Sequence, residues 1–163
     1  MFSYKKTRYP KGSIHFTIRG TPIGKGMPKV VRLKSGASHT FKPEATARWE
    51  NTIAGQAFKY KPEVPFDEPL VLGALFFRPI PKYISNSKTK FQQALKYELL
   101  PGKKPDLKNL VASVEDALEG IFYINDSCIV AYVPVNGLPT GKYYSVTPRV
   151  EVLITPLSSF MSQ

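Results

Sequence analysis

From Leu70 to Phe77 the chain is almost unbrokenly apolar, Leu-Val-Leu-Gly-Ala-Leu-Phe-Phe. The run has the length of a strand, and its β-branched and aromatic members favour one. A strand with no polar face is buried in a sheet. The rest of the chain must therefore supply cover. Residues Ser13 to Gly20 alternate, with Ile14, Phe16 and Ile18 on one side and His15, Thr17 and Arg19 on the other. That period of two predicts a half-buried strand with His15 on its polar face.

Pro43 and Glu44 open a helix that runs to about Tyr60, with Trp49, Ile53 and Ala57 at helical spacing. Three prolines between Lys59 and Pro69 mark a connector. Ser85 or Ser87 is positioned to cap a short helix reaching Leu99. Asp106 begins another, whose buried stripe is Leu107, Leu110, Val111, Val114, Ala117, Leu118 and Ile121, and Gly120 ends it. Residues 121–135 read as strand, Asn136-Gly137 as a turn, and residues 143–154 as the last strand. These elements make an α+β fold, a mixed sheet with helices packed on it. At 163 residues, 42% of them hydrophobic, the chain fits one domain over residues 1–163. Residues 1–12 and 157–163 read as loose tails.

The formal net charge is +11. Such an excess points to a polyanion, nucleic acid before an anionic membrane. No apolar stretch is long enough to span a bilayer, and Met1 to Gly12 has no signal core. Cys128 is the lone cysteine, which excludes an intrachain disulfide or a Cys-rich zinc site. A reducing, cytoplasmic setting is the expectation. The bases gather between Gly20 and Lys42, where Lys25, Lys29, Arg32, Lys34 and Lys42 alternate with glycines and prolines, and again at Lys103 and Lys104. Val30 to Leu33 is set to pair with His39 to Phe41 as a hairpin, and a basic hairpin suits a phosphate backbone.

Two carboxylates at element boundaries carry the candidate chemistry. Asp106 stands at a helix start and Asp126 in a turn before a strand. Acids from different elements beside a basic surface are what a metal-assisted phosphodiester-cleaving site needs. Each has a plain alternative, an N-cap for Asp106 and a turn residue for Asp126. Asp116 lies off the apolar stripe and either faces the site or forms an ion pair.

The order Pro105-Asp106-Leu107-Lys108-Asn109-Leu110, then Asp116-Ala117-Leu118, then Asn125-Asp126 resembles the RusA family of Holliday junction resolvases. The opening loop Gly20-Thr21-Pro22-Ile23-Gly24-Lys25-Gly26 is similar to that of many members. The resemblance implies a homodimer of small α+β subunits. It implies binding of branched DNA, the four-way junction, and paired cuts with Mg²⁺ held by Asp106 and Asp126. It further implies a bacterial, phage or prophage source. Asn109 and Asp116 match family positions. Three positions depart from the pattern. Lys108 stands where the family has its second metal aspartate, Ala112 where it has a lysine, and Asn125 where it has an acid. An ammonium beside the site binds phosphate but repels a divalent cation, by several kcal/mol at an effective dielectric of about 20. Lys108 thus reads as an engineered change, a natural loss of activity, or a compensating arrangement. The competing function is a catalytically silent protein that holds branched or single-stranded DNA. More distant is an RNA-binding module that stacks bases on Phe and Tyr.

Overall fold

A computed structural model of the chain describes residues 3–162. The apolar run is the middle of β4 (Leu70–Pro79), the centre of a five-stranded mixed sheet. β1 (Ile14–Arg19) pairs antiparallel with β7 (Arg149–Pro156), and β7 pairs antiparallel with β4 along its length. The other side of β4 is shared by two parallel strands. β5 (Ile129–Tyr132) takes its first residues, Leu70 to Leu72, and β6 (Gly141–Ser145) its last, Leu75 to Pro79. β2 (Lys29–Arg32) and β3 (Ser38–Phe41) form a separate two-stranded ribbon.

Alternation within β4 explains why its sequence lacks a polar face. Leu70, Leu72, Ala74 and Phe76 point to a core shared with α1 (Glu44–Ala57) and α4 (Leu107–Leu118), through Trp49, Ile53, Leu110, Val114 and Leu118. Val71, Leu75 and Phe77 point the other way, to Val133, Val135, Leu138 and Tyr143. Helices α1 and α4 therefore cover one face. Loop 133–140, the N-terminal segment, α3 (Lys88–Leu95) and α5 (Leu157–Met161) cover or flank the other. Gly73 marks the crossing: a Cβ there would lie 2.4 Å from Val135 Cγ2 and 2.9 Å from the Val133 carbonyl.

Four expectations need correction. Residues 121–135 are strand only over Ile129–Tyr132. Their apolar character comes from Phe122 and Tyr123, which fill the core from a turn hydrogen-bonded to Phe66. The final strand of residues 143–154 is two strands, because Thr147 N–H turns back to Ser145 Oγ at 3.1 Å and Pro148 offers no N–H. The helix to Leu99 is two helices, α2 (Lys82–Ser85) and α3, with the Ser87 side chain capping the second. The segment before Gly12 is docked rather than loose over its described part: the Lys5 and Thr7 N–H groups and the Tyr9 hydroxyl all bond to Asn136. Residues 157–161 likewise form α5.

Candidate nucleic-acid interface and acidic site

The ribbon is built from alternating residues, but it stands off the core and both of its faces are exposed. Its register pairs Lys29 with Phe41 and Val31 with His39 on one face, and Val30 with Thr40 and Arg32 with Ser38 on the other. No acid occurs between Thr21 and Pro43. Lys29, Arg32 and Lys34 make no ion pair among the described residues. The other two bases of this loop are already engaged. Lys25 Nζ lies 2.6 Å from Asp116, and Lys42 is paired with Glu50. Asp116 is thus an ion-pair residue, and its hydrogen bond to Lys25 leads the causes that raise the lysine pKa.

Glycines press this loop against α4. A Cβ on Gly24 would sit 3.0 Å from Pro105 Cβ and 3.2 Å from Asn109 Cβ. The Lys25 N–H donates to the Asn109 carbonyl at 2.8 Å. Lys103 and Lys104 are exposed just ahead of α4. Lys142, on β6, donates from Nζ to the Lys103 and Pro105 carbonyls at 3.0 and 3.1 Å, so it fixes the approach to Asp106. Sequence reasoning passed over Lys142 because its role depends on strand pairing.

Asp106 occupies the N-cap position of α4 but makes no side-chain cap bond, so its carboxylate is exposed and uncommitted. Lys108 is exposed on the first turn. Asp126 begins a 3₁₀ turn, Asp126–Cys128, whose cap is Asn125: its side chain accepts from Ser127 N–H at 2.9 Å. The Asp126 N–H itself donates to Glu119 Oε2 at 2.9 Å. That bond ties Asp126 to the C-terminal end of α4. From Asp106 to Asp116 the helix advances about 15 Å. The two expected partners therefore sit at opposite ends of one helix.

The end near Asp126 is strongly acidic. Glu115, Asp116, Glu119 and Asp126 gather there, and sequence reasoning missed Glu115. Burial raises the Glu115 pKa. The Tyr132 hydroxyl, donating to Oε1 at 2.6 Å, opposes that shift, and Asp126 and Asp116 reinforce it. Even so, the described residues contain no group of three Asp, Glu, His or Cys side chains able to hold one metal ion. Among the described residues, no third acid stands with Asp106 and Asp126 to complete the Mg²⁺ site that the family pattern implies, and Lys108 takes the place of one. Asp106 and Asp126 are separated along α4, and Lys108 stands next to the first.

A family model described as endodeoxyribonuclease RusA matches residues 19–155, which include the ribbon, α4 and Asp126. The chain is also similar to the uncharacterized protein YqaN of Bacillus subtilis (strain 168). The two are 36% identical over 146 residues, covering 90% of this chain and 98% of that protein.

Proposed function

The chain belongs to the RusA family of endodeoxyribonucleases, and from that premise we propose that it binds four-way DNA junctions through the β2–β3 ribbon. The family supplies a Holliday junction resolvase-like nuclease. The observation that carries the finer reading is the ribbon itself, with unpaired Lys29, Arg32 and Lys34, both faces exposed and no acid within its loop. Phosphates draw such a ribbon electrostatically, and junction geometry supplies the selectivity. The base-stacking alternative has less support, because Trp49, Phe76, Phe77, Phe122 and Tyr123 are core residues.

Cleavage is weak or absent in the chain as it stands, because the exposed Lys108 ammonium lies two residues from Asp106, where a carboxylate belongs. One experiment tests both halves of this reading. A labelled four-way junction and a linear duplex of equal length are titrated with the protein, then incubated with magnesium. The expected result is tighter binding to the junction with little or no cutting. Lys108→Asp should add metal-dependent cleavage by removing a repelling charge and adding an oxygen ligand of the hard type that magnesium selects. Equal affinity for duplex and junction would defeat the binding proposal. Efficient cutting by the unaltered chain would defeat the reading of Lys108.

A further inference from the structure

At the far end of β4 lies a cleft that neither the ribbon nor the acidic cluster uses. β4 and β6 run parallel there and set Arg78 beside Tyr144. Side chains two apart on a strand share a face, so both continue the face that Leu72, Ala74 and Phe76 turn toward the helices. α2 and α3 fold against Tyr144 through Ile84 and Ala94. The space left between these pieces and the segment leading into α4 is about 310 Å³. That is the lower end of the range for small-ligand sites, about 300–1,000 Å³.

The lining is of two kinds. Tyr83, Tyr144 and three prolines make apolar walls, Arg78, Lys103 and Lys104 make a cationic rim, and no acid lines the cleft. Tyr83 is 58% exposed, which sets it apart from the aromatics of the core. A planar ring system carrying a negative charge suits such a surface: the walls take the plane and the cations take the charge. A nucleotide has both parts. Within a duplex each face of a base is covered by its neighbours, so only a base drawn out of the stack has a face to offer.

The cleft is also fixed relative to Asp106. Lys142 Nζ holds the Lys103 and Pro105 carbonyls at 3.0 and 3.1 Å, which steadies the rim. Arg78 Nη1 donates to the Pro22 carbonyl, which joins the cleft to the loop that begins at Gly20. From Lys104 to Asp106 the chain spans about 7 Å at most. A base in the cleft is therefore a close neighbour, along its strand, of a phosphate at Asp106.

We propose that the cleft between β4, β6 and α2 is a pocket for one unstacked DNA base, which lies on Tyr83 while Arg78, Lys103 and Lys104 hold its phosphate. The ribbon attracts the backbone without regard to position; the pocket sets which phosphate stands at Asp106. This inference rests on the reading of the chain as a junction-binding protein, and the test below separates the two.

An iodinated deoxyuridine is placed singly at positions stepped across the exchange point of a four-way junction, and each complex is irradiated at a wavelength that excites only the iodinated base. Peptide mapping should find the attachment on Tyr83, from one or two adjacent positions at the exchange point and not from positions along the arms. Tyr83→Ala should remove that attachment and lower junction affinity on the order of tenfold, the usual cost of losing one base–aromatic stack. Tyr83→Phe should keep the affinity, because the ring and not the hydroxyl does the stacking. Unchanged affinity in a Tyr83→Ala variant that melts with the parent would overturn the proposal. So would attachment only to the ribbon. The same iodinated base in a short single strand is the second probe. Attachment to Tyr83 from the single strand, in a protein that binds junction and duplex alike, condemns the junction reading and leaves the pocket standing. No attachment to Tyr83 from either probe overturns the pocket and leaves the cleft to a ligand other than DNA.

Discussion

Glu115 shows how a single carboxyl can be marked by its surroundings more than by its place in the sequence. Burial raises its pKa, and Asp126 and Asp116 add to the effect, while the Tyr132 hydroxyl at 2.6 Å partly offsets it. A carboxyl with a raised folded pKa holds its proton in the native state over a window where the unfolded chain has lost it. The native state therefore binds more protons in that window, and stability falls as pH climbs from the ordinary carboxylate range, about 4, through the raised folded value. Glu115→Gln keeps an acceptor for Tyr132 and removes the titration. Its urea midpoint should exceed the parent's at pH 7 and match it near pH 4. A parent more stable than the variant at pH 7 would show that the charged carboxylate is welcome where it sits. Asp106, Lys108 and Asp126 stand out in the sequence because a motif frames them. Glu115, Lys142 and Glu50 do not, because burial and contacts with residues from other elements of the chain give them their roles.

At the level of elements, the clearest case is the turn at Asn136-Gly137. The dipeptide is a turn signal, and both residues take left-handed backbone angles, φ 48 and φ 80. What the sequence does not disclose is the second task of Asn136. Its Oδ1 accepts from the Tyr9 hydroxyl at 2.9 Å and from Thr7 N–H at 3.2 Å. Its Nδ2 donates to Tyr4 Oη at 3.0 Å and to the buried Glu151 at 3.1 Å. Glu151 also accepts from Arg149 Nε at 3.0 Å, and that guanidinium lies 3.8 Å from the centre of the Phe77 ring. One side chain thus holds the N-terminal segment against the sheet and satisfies a buried carboxylate. Asn136→Ala should cost about 1–3 kcal/mol, the range for leaving a buried polar group unpaired. It should also speed amide exchange at Lys5 and Thr7, whose N–H groups bond to this residue. A loss within a few tenths of a kcal/mol with exchange unchanged would mean the segment is held by other contacts. The same limit explains the strand assigned to residues 121–135: apolar patterning reports burial, and Phe122 and Tyr123 are buried from a turn.

For the molecule as a whole, bulk charge was the most transparent property and pairing order the least. The sequence shows that β4 is buried on both faces, but nothing in it says that β5 and β6 share one side of that strand, or that Asp106 and Asp126 fall at opposite ends of α4. The count of bases also overstates what is free to meet phosphate, because some of them are spent on internal acids. Lys25 is bound to Asp116 and Lys42 to Glu50, whereas Lys29, Arg32 and Lys34 stand free on the ribbon. A base that contacts phosphate releases a counterion, and its removal lowers the slope of log affinity against log salt by about one unit. A base that already neutralises an internal acid releases much less. The slope for a four-way junction should therefore fall by about one unit for each of Lys29→Ala, Arg32→Ala and Lys34→Ala, and by about three for all together. Lys25→Ala and Lys42→Ala should lower it distinctly less, since each also exposes an acid. Equal slope losses at paired and unpaired positions would mean that these ion pairs open on binding, and that the loop rather than the ribbon is the unit that meets DNA.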